Sequence, residues 1–167
     1  MNSHCIQDTG LTQADTTANT LGWRSMMLEL QARMQATQTF SWAFFTEISW
    51  GAPATPHMCK AFFTNNGTDY YDRALMMGMK VVNRTQDTVM RDLVTFLLIR
   101  GPYAYIGDPW QGCNSEGPSP LPPEVLLDYG VPLGNITQVG DDTFTREWSN
   151  ATVSFNCTAY EASVAWR

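Results

Sequence analysis

Two apolar stretches of the sequence are each followed by a carboxylate and then by a tryptophan. Glu47 and Trp50 follow "TFSWAFF", and Asp108 and Trp110 follow "YAYIG". A carboxyl group at the end of a buried strand can act as a general acid or base, because neighbouring aromatic surface raises its pKa. An indole beside it offers a flat apolar face to a bound molecule. These four residues, with Tyr105 in the second stretch, are the candidates for chemistry.

Each candidate also has an ordinary structural explanation. Glu47 could cap the next element or pair with a cation, and Asp108 precedes a proline, which is a common turn pair. The tryptophans could pack in the core. Tyr105 lies on an expected strand, where one face must serve packing.

The elements that would position these residues alternate along the chain. Residues 1–20 are expected to form a polar loop, with Thr20 as the N-cap of the first helix. Thr85 is the expected N-cap of a later, largely apolar helix, and Asp87 lies in its first turn, where a negative charge suits the helix dipole. The expected elements are a helix over 21–37, a strand over 39–45, helices over 57–63, 69–82 and 85–100, and a strand over 103–107. Strands joined by helical crossovers predict a parallel sheet, so the class is α/β.

The composition and the hydrophobic pattern of the sequence change after Gly117. A proline-rich stretch comes first, and residues 143–167 then alternate apolar and polar side chains around a Ser149-Asn150 turn. This pattern predicts an antiparallel hairpin and one further strand. The expected division is therefore residues 1–117 and an antiparallel β-region over residues 118–167.

The motifs resemble a known family. "RALMMGMKVV", "TVMRDLVTFLLIRGPYAYIG", "DYGVPLG" and "FTREWSNATVSFNC" resemble the C-terminal part of glycoside-hydrolase-like TIM-barrel proteins. The resemblance covers roughly residues 40–167. It implies the C-terminal portion of a (β/α)8 barrel followed by a small antiparallel β-region.

That resemblance implies carbohydrate as the substrate. Glycosidases use two carboxylates that flank the scissile bond. Glu47 and Asp108 would be catalytic at the face where barrel strands end, and Trp50, Trp110 and Tyr105 would contact the sugar. A complete barrel needs about 250 residues, so the 167-residue chain would be incomplete and inactive by itself.

Composition limits the alternatives. Hydrophobic residues make up 44% of the chain and charged residues 16%, which is typical of a folded domain. The net charge is −6 with no basic cluster, so nucleic acid is not an expected partner. The apolar run from Leu93 to Ile99 is too short to span a membrane. Two histidines and no paired cysteine motif predict no metal site, and no cofactor is expected.

Cysteines and glycosylation motifs favour a secreted or luminal protein. The five Asn-x-Ser/Thr motifs start at Asn66, Asn83, Asn135, Asn150 and Asn156. The four cysteines are Cys5, Cys59, Cys113 and Cys157, and they allow three pairings. In the barrel interpretation Cys59 and Cys113 lie in adjacent loops, so that pair is favoured. The first residues lack a signal peptide, so either the motifs are unused or an N-terminal part is missing.

Three functions remain open from the sequence. The first is a fragment of a secreted glycoside-hydrolase-like protein, and the second is a carbohydrate-binding protein without catalysis. The third is a small secreted interaction protein stabilised by disulfides. The first requires a second carboxylate in the same cleft as Glu47.

Overall fold

The computed structural model describes residue 10 and residues 12–39, 44–45, 55–66, 75–78, 85–107 and 121–167. The chain divides into two compact units, Met1–Thr39 and Phe40–Arg167. The predicted boundary between residues 117 and 118 lies outside the described residues.

The first unit contains one helix, α1 (Gln13–Thr37). It begins earlier than the sequence pattern predicts, because Thr12 caps it. The Thr12 side chain accepts a hydrogen bond from the Asp15 backbone N–H, and the Asp15 carboxylate accepts one from the Thr12 N–H. This reciprocal capping box satisfies two N–H groups that the first turn leaves open. The prediction of a loop through residue 20 is therefore wrong for residues 13–20.

The second unit opens with a small parallel sheet. Its elements, in chain order, are β1 (Phe44–Phe45), α2 (Pro56–Asn66), β2 (Leu75–Gly78), α3 (Gln86–Ile99) and β3 (Ala104–Gly107). The strand order is β1-β2-β3, with Phe44 beside Met76 and Met76 beside Tyr105. The expected parallel relation of the first and last of these strands is confirmed, with β2 between them.

The strand β2 corrects a helix predicted over residues 69–82. Its residues, "LMMG", are apolar on both faces. A short run of this kind fits a buried strand as well as a buried helix, because periodicity cannot separate the two. Pairing on both sides with β1 and β3 decides for the strand.

A four-stranded antiparallel sheet follows. A 3₁₀ helix spans Pro123–Leu126, and the strands are β4 (Thr137–Val139), β5 (Thr143–Glu147), β6 (Ala151–Asn156) and β7 (Glu161–Trp166). Neighbours in the chain are neighbours in the sheet. In β6 the odd-numbered residues are buried and the even-numbered ones half-buried, so one face packs inward. The predicted hairpin around Ser149 and Asn150 is confirmed.

The core lies between this sheet and the two helices α2 and α3. Residues 92–99 of α3 are all buried, and α3 packs against β5, β6 and β7. Phe63 of α2 lies 5.1 Å from Phe144 and 5.3 Å from Phe155 between ring centroids. Full burial of such a side chain contributes roughly 1.5–3 kcal/mol.

The predicted fold class, the C-terminal portion of a (β/α)8 barrel, is wrong. The larger of the two sheets in the described residues has four antiparallel strands, and neighbours in the chain are neighbours in the sheet. A (β/α)8 barrel consists of parallel strands. The motif resemblance implied a barrel around α3, whose second half is apolar nearly all round. This apolar surface has another origin in the structure. It arises because the antiparallel sheet also covers the helix.

Candidate functional site

A pocket of about 450 Å³ opens between the start of α3 and the turn that joins β6 to β7. This volume falls within the range of small-molecule sites, about 300–1,000 Å³. Its lining comes from two segments far apart in sequence, and consists of Asp87, Met90, Arg91, Ala159, Tyr160, Glu161 and Ala162.

The helical side of the pocket follows from how α3 begins. The Thr85 hydroxyl accepts a hydrogen bond from the Thr88 N–H at 3.3 Å, and the Thr88 hydroxyl accepts one from the Thr85 N–H at 2.9 Å. With the helix started here, Asp87 and Arg91 are four residues apart and share one face. Arg91 Nε also donates to the Asp87 carbonyl oxygen at 3.1 Å, which holds the guanidinium stem along the helix.

The opposite side is a turn with an unusual backbone. Tyr160 has φ of 57°, in the left-handed region that few side chains other than glycine adopt. The Asn156 side-chain oxygen accepts hydrogen bonds from the N–H groups of Thr158 at 2.9 Å and Ala159 at 2.8 Å. Residues held in this region by their surroundings concentrate at functional sites.

The Tyr160 ring is held from two directions. The Arg91 guanidinium carbon lies 5.0 Å from the ring centroid, a cation–π contact. Phe155 packs edge-to-face against the same ring, with centroids 5.5 Å apart. The aromatic wall of the pocket is therefore fixed by one residue of α3 and one of β6.

The turn is anchored to α2 by a disulfide and an ion pair. Cys59 bonds to Cys157, with Cα atoms 5.5 Å apart. The Lys60 ammonium pairs with the Asp142 carboxylate, to which the Thr158 hydroxyl also donates. Lys60 first, and Thr158 second, hold the pKa of Asp142 below its ordinary value. These links give the pocket a rigid support.

The polar groups of the pocket are suited to hydroxyl groups. The carboxylates of Asp87 and Glu161 can accept hydrogen bonds, and the Arg91 guanidinium donates them. The Tyr160 ring and the Met90 side chain supply apolar surface. Among the described residues no group of three or more His, Cys, Asp or Glu could hold a metal ion.

The structure does not describe most of the predicted site. Glu47, Trp50, Asp108 and Trp110 all lie outside the described residues, so their proximity stays a prediction. Tyr105 lies on β3 with 52% of its surface exposed.

The favoured disulfide is wrong. Cys59 pairs with Cys157 and not with Cys113. Cysteine spacing carries no information on connectivity, and the pairing depended on the barrel arrangement. Cys5 and Cys113 themselves lie outside the described residues.

The glycosylation motifs differ in their surroundings. Asn66 ends α2, and Asn83 lies outside the described residues. Asn135 and Asn150 are exposed, but Asn150 donates to the Asp128 carbonyl oxygen at 3.2 Å. Asn156 is half-buried in the turn beside the pocket.

Sequence reasoning missed the pocket residues. Asp87 was expected only to stabilise the helix start, and Arg91, Tyr160 and Glu161 carry no motif. The four-residue spacing of Asp87 and Arg91 is a weak signal, since such pairs are ordinary on exposed helix faces.

Comparisons with known proteins add no family. No family model matches the sequence, and no curated protein matches it. Among the described helices, none has the length and apolar character needed to cross a membrane.

Proposed function

We propose that this protein binds carbohydrate at the pocket between α3 and the β6–β7 turn, without catalysis there. The observation that carries the proposal is the lining: Asp87, Arg91 and Glu161 around the fixed ring of Tyr160. Sugars present hydroxyl groups at their edges and C–H groups on their faces. Carboxylates and a guanidinium match the edges, and an aromatic ring matches a face.

The negative charge of the pocket should affect how tightly neutral and acidic sugars bind. Two carboxylates and one guanidinium line the pocket, and the whole chain carries a net charge of −6. Like charges at close range cost binding free energy. We therefore expect neutral oligosaccharides to bind more tightly than those bearing uronic acids or sulfates.

Calorimetric titration with neutral and uronate-bearing oligosaccharides tests this proposal. Asp87→Asn and Glu161→Gln each remove a charged acceptor and keep the shape. Losing a hydrogen bond to a charged group costs roughly 1.5–3 kcal/mol, so affinity should fall about tenfold or more. Asp141→Asn is the matched control, because Asp141 is exposed and outside the pocket lining. Equal effects of the three variants would reject the pocket as the site.

The glycosidase interpretation remains a second proposal, favoured by the motif resemblance. It assigns catalysis to Glu47 and Asp108, with Trp50 and Trp110 as sugar contacts. If hydrolysis is found in a protein containing this chain, Glu47→Gln should lower turnover about a hundredfold or more. Unchanged turnover would remove Glu47 from the mechanism. A folded chain with neither sugar binding nor hydrolysis would favour the third function, a secreted interaction protein.

A further inference from the structure

The side chain of Asn156 is used by the fold itself. Its oxygen accepts from the N–H groups of Thr158 and Ala159 at 2.9 and 2.8 Å. Its nitrogen donates to the Thr143 hydroxyl oxygen at 3.2 Å. The amide therefore closes the turn after β6 and also ties it to β5.

The other two residues of this glycosylation motif are also engaged. The Thr158 hydroxyl donates to the Asp142 carboxylate. Cys157 is bonded to Cys59, and the two residues are 1% and 0% exposed. A transferase must bind the asparagine amide and the threonine hydroxyl together. In the folded turn both groups are occupied, and the disulfide holds the residue between them.

The asparagine of the motif at Asn135 is more accessible than Asn156. Asn135 is exposed in the segment before the edge strand β4. Its side chain forms no hydrogen bond with the described part of the chain. The Thr137 hydroxyl of this motif also has a partner, the Thr145 hydroxyl at 3.1 Å. The two motifs therefore differ at the asparagine, and at the middle residue, which is locked in a disulfide only in the Asn156 motif.

We propose that Asn156 is glycosylated only while the Cys59–Cys157 disulfide is open, and that Asn135 accepts a glycan in the folded chain. The donor is an oligosaccharide linked to a lipid diphosphate. A bond forms between Asn156 Nδ2 and C1 of the sugar, and the bond from C1 to the phosphate oxygen breaks. The lipid diphosphate leaves, and the amide proton passes to a base of the transferase. The competing step is closure of the Cys59–Cys157 disulfide, in which the two thiols pass two electrons and two protons to a disulfide of an oxidising exchange partner, which becomes a dithiol.

Site occupancy in the secreted full chain, preceded by a cleavable signal sequence, tests the proposal. Enzymatic glycan removal in ¹⁸O water labels each formerly modified asparagine for mass spectrometry. We expect high occupancy at Asn135 and low occupancy at Asn156. Cys59→Ser leaves the motif intact and should raise Asn156 occupancy several-fold. Cys5→Ser is the matched control, since it removes a cysteine outside this disulfide.

A second measurement avoids any failure of Cys59→Ser to fold. The chain with Asn66, Asn83, Asn135 and Asn150 changed to Gln is translated with microsomes, so that Asn156 is its one remaining motif. A reductant should then increase the glycosylated band. Asn156 occupancy that is the same with the disulfide open and closed, whether high or low, would overturn the proposal. Neither readout depends on sugar binding at the pocket.

Discussion

Arg146 Nη1 lies 2.6 Å from the carbonyl oxygen of Arg100, the residue that caps the C-terminus of α3. The same nitrogen reaches the carbonyl oxygens of Leu97 at 3.3 Å and Leu98 at 3.2 Å, and Nε reaches that of Gly134 at 2.9 Å. Arg146 is only 8% exposed. A guanidinium of the sheet thus satisfies carbonyl groups that every helix end leaves open.

Arg146→Met should lower the free energy of unfolding by roughly 1.5–3 kcal/mol, because it leaves buried carbonyl oxygens without their charged donor. Arg146→Lys should recover only part of the lost stability, since an ammonium cannot reproduce the fixed arrangement of N–H donors in a guanidinium. Arg33→Met is the control, because its exposed pair with Glu29 contributes about 0.5 kcal/mol or less. Urea unfolding measures all three. Similar losses for Arg146→Met and Arg33→Met would contradict this role.

Loss of the Cys59–Cys157 disulfide should cost roughly 2–5 kcal/mol, because the bond closes a loop of 98 residues and restricts the unfolded chain. The measurement compares urea unfolding of the protein with that of the double variant Cys59→Ala, Cys157→Ala. Mass spectrometry of unreduced peptides checks the pairing directly. A peptide that joins Cys59 to Cys113 would contradict the structure.

The pH dependence of stability should include a contribution from Asp142. The Lys60 ammonium and the Thr158 hydroxyl lower its pKa in the folded state from the ordinary value of 3.8. A depressed folded pKa means that the stabilisation is present above the unfolded pKa and lost as pH falls through the folded one. Asp142→Asn should therefore lower the melting temperature at pH 7. The difference from the unchanged protein should shrink in strong acid.

Melting curves across that pH range, with Asp141→Asn as a neighbouring exposed control, measure this effect. A melting difference between Asp142→Asn and the unchanged protein that stays constant down to strong acid would rule out the ionised carboxylate as its source.

Gly130→Ala should be destabilising for two reasons. Gly130 has φ of 81°, which costs a residue with Cβ about 1–2 kcal/mol. A Cβ there would also lie 1.9 Å from Ser149 Oγ, the acceptor for the Val131 N–H. Gly134→Ala is the matched control, because a Cβ at Gly134 meets no atom within 4 Å. Chemical denaturation should separate the two variants clearly, and equal stability would contradict the assigned clash.

Local signals predicted some elements well. Thr85 and Asp87 marked the start of α3, and alternation around Ser149 and Asn150 marked the β5–β6 hairpin. These features depend on neighbours in sequence. The strand β2 and the cover of α3 depend on distant partners. The local pattern at residues 75–78 therefore predicts a helix where the structure has a strand, and the pattern of α3 does not reveal which sheet covers it.

The pocket could not be predicted from local sequence patterns either, because its residues come from distant parts of the chain. Arg91 and Tyr160 meet only because the sheet folds back over α3, and the positive φ of Tyr160 has no marker such as glycine. The capping box of α1 is different. Thr12 and Asp15 have the three-residue spacing of a capping box, which is a local signal for a helix start at Thr12 rather than at Thr20.

The two cysteines of the disulfide are made at different times during translation, because they are far apart in the sequence. Cys59 is made 98 residues before its partner, which at about 5–20 residues per second is a wait of roughly 5–20 s. Cys5 is already present then, and Cys113 emerges before Cys157. The native bond can therefore form only after Cys157 has been made, and any earlier bond of Cys59 to Cys5 or Cys113 would first have to be replaced. A disulfide isomerase should accordingly speed the maturation of those chains in which such an earlier bond has formed.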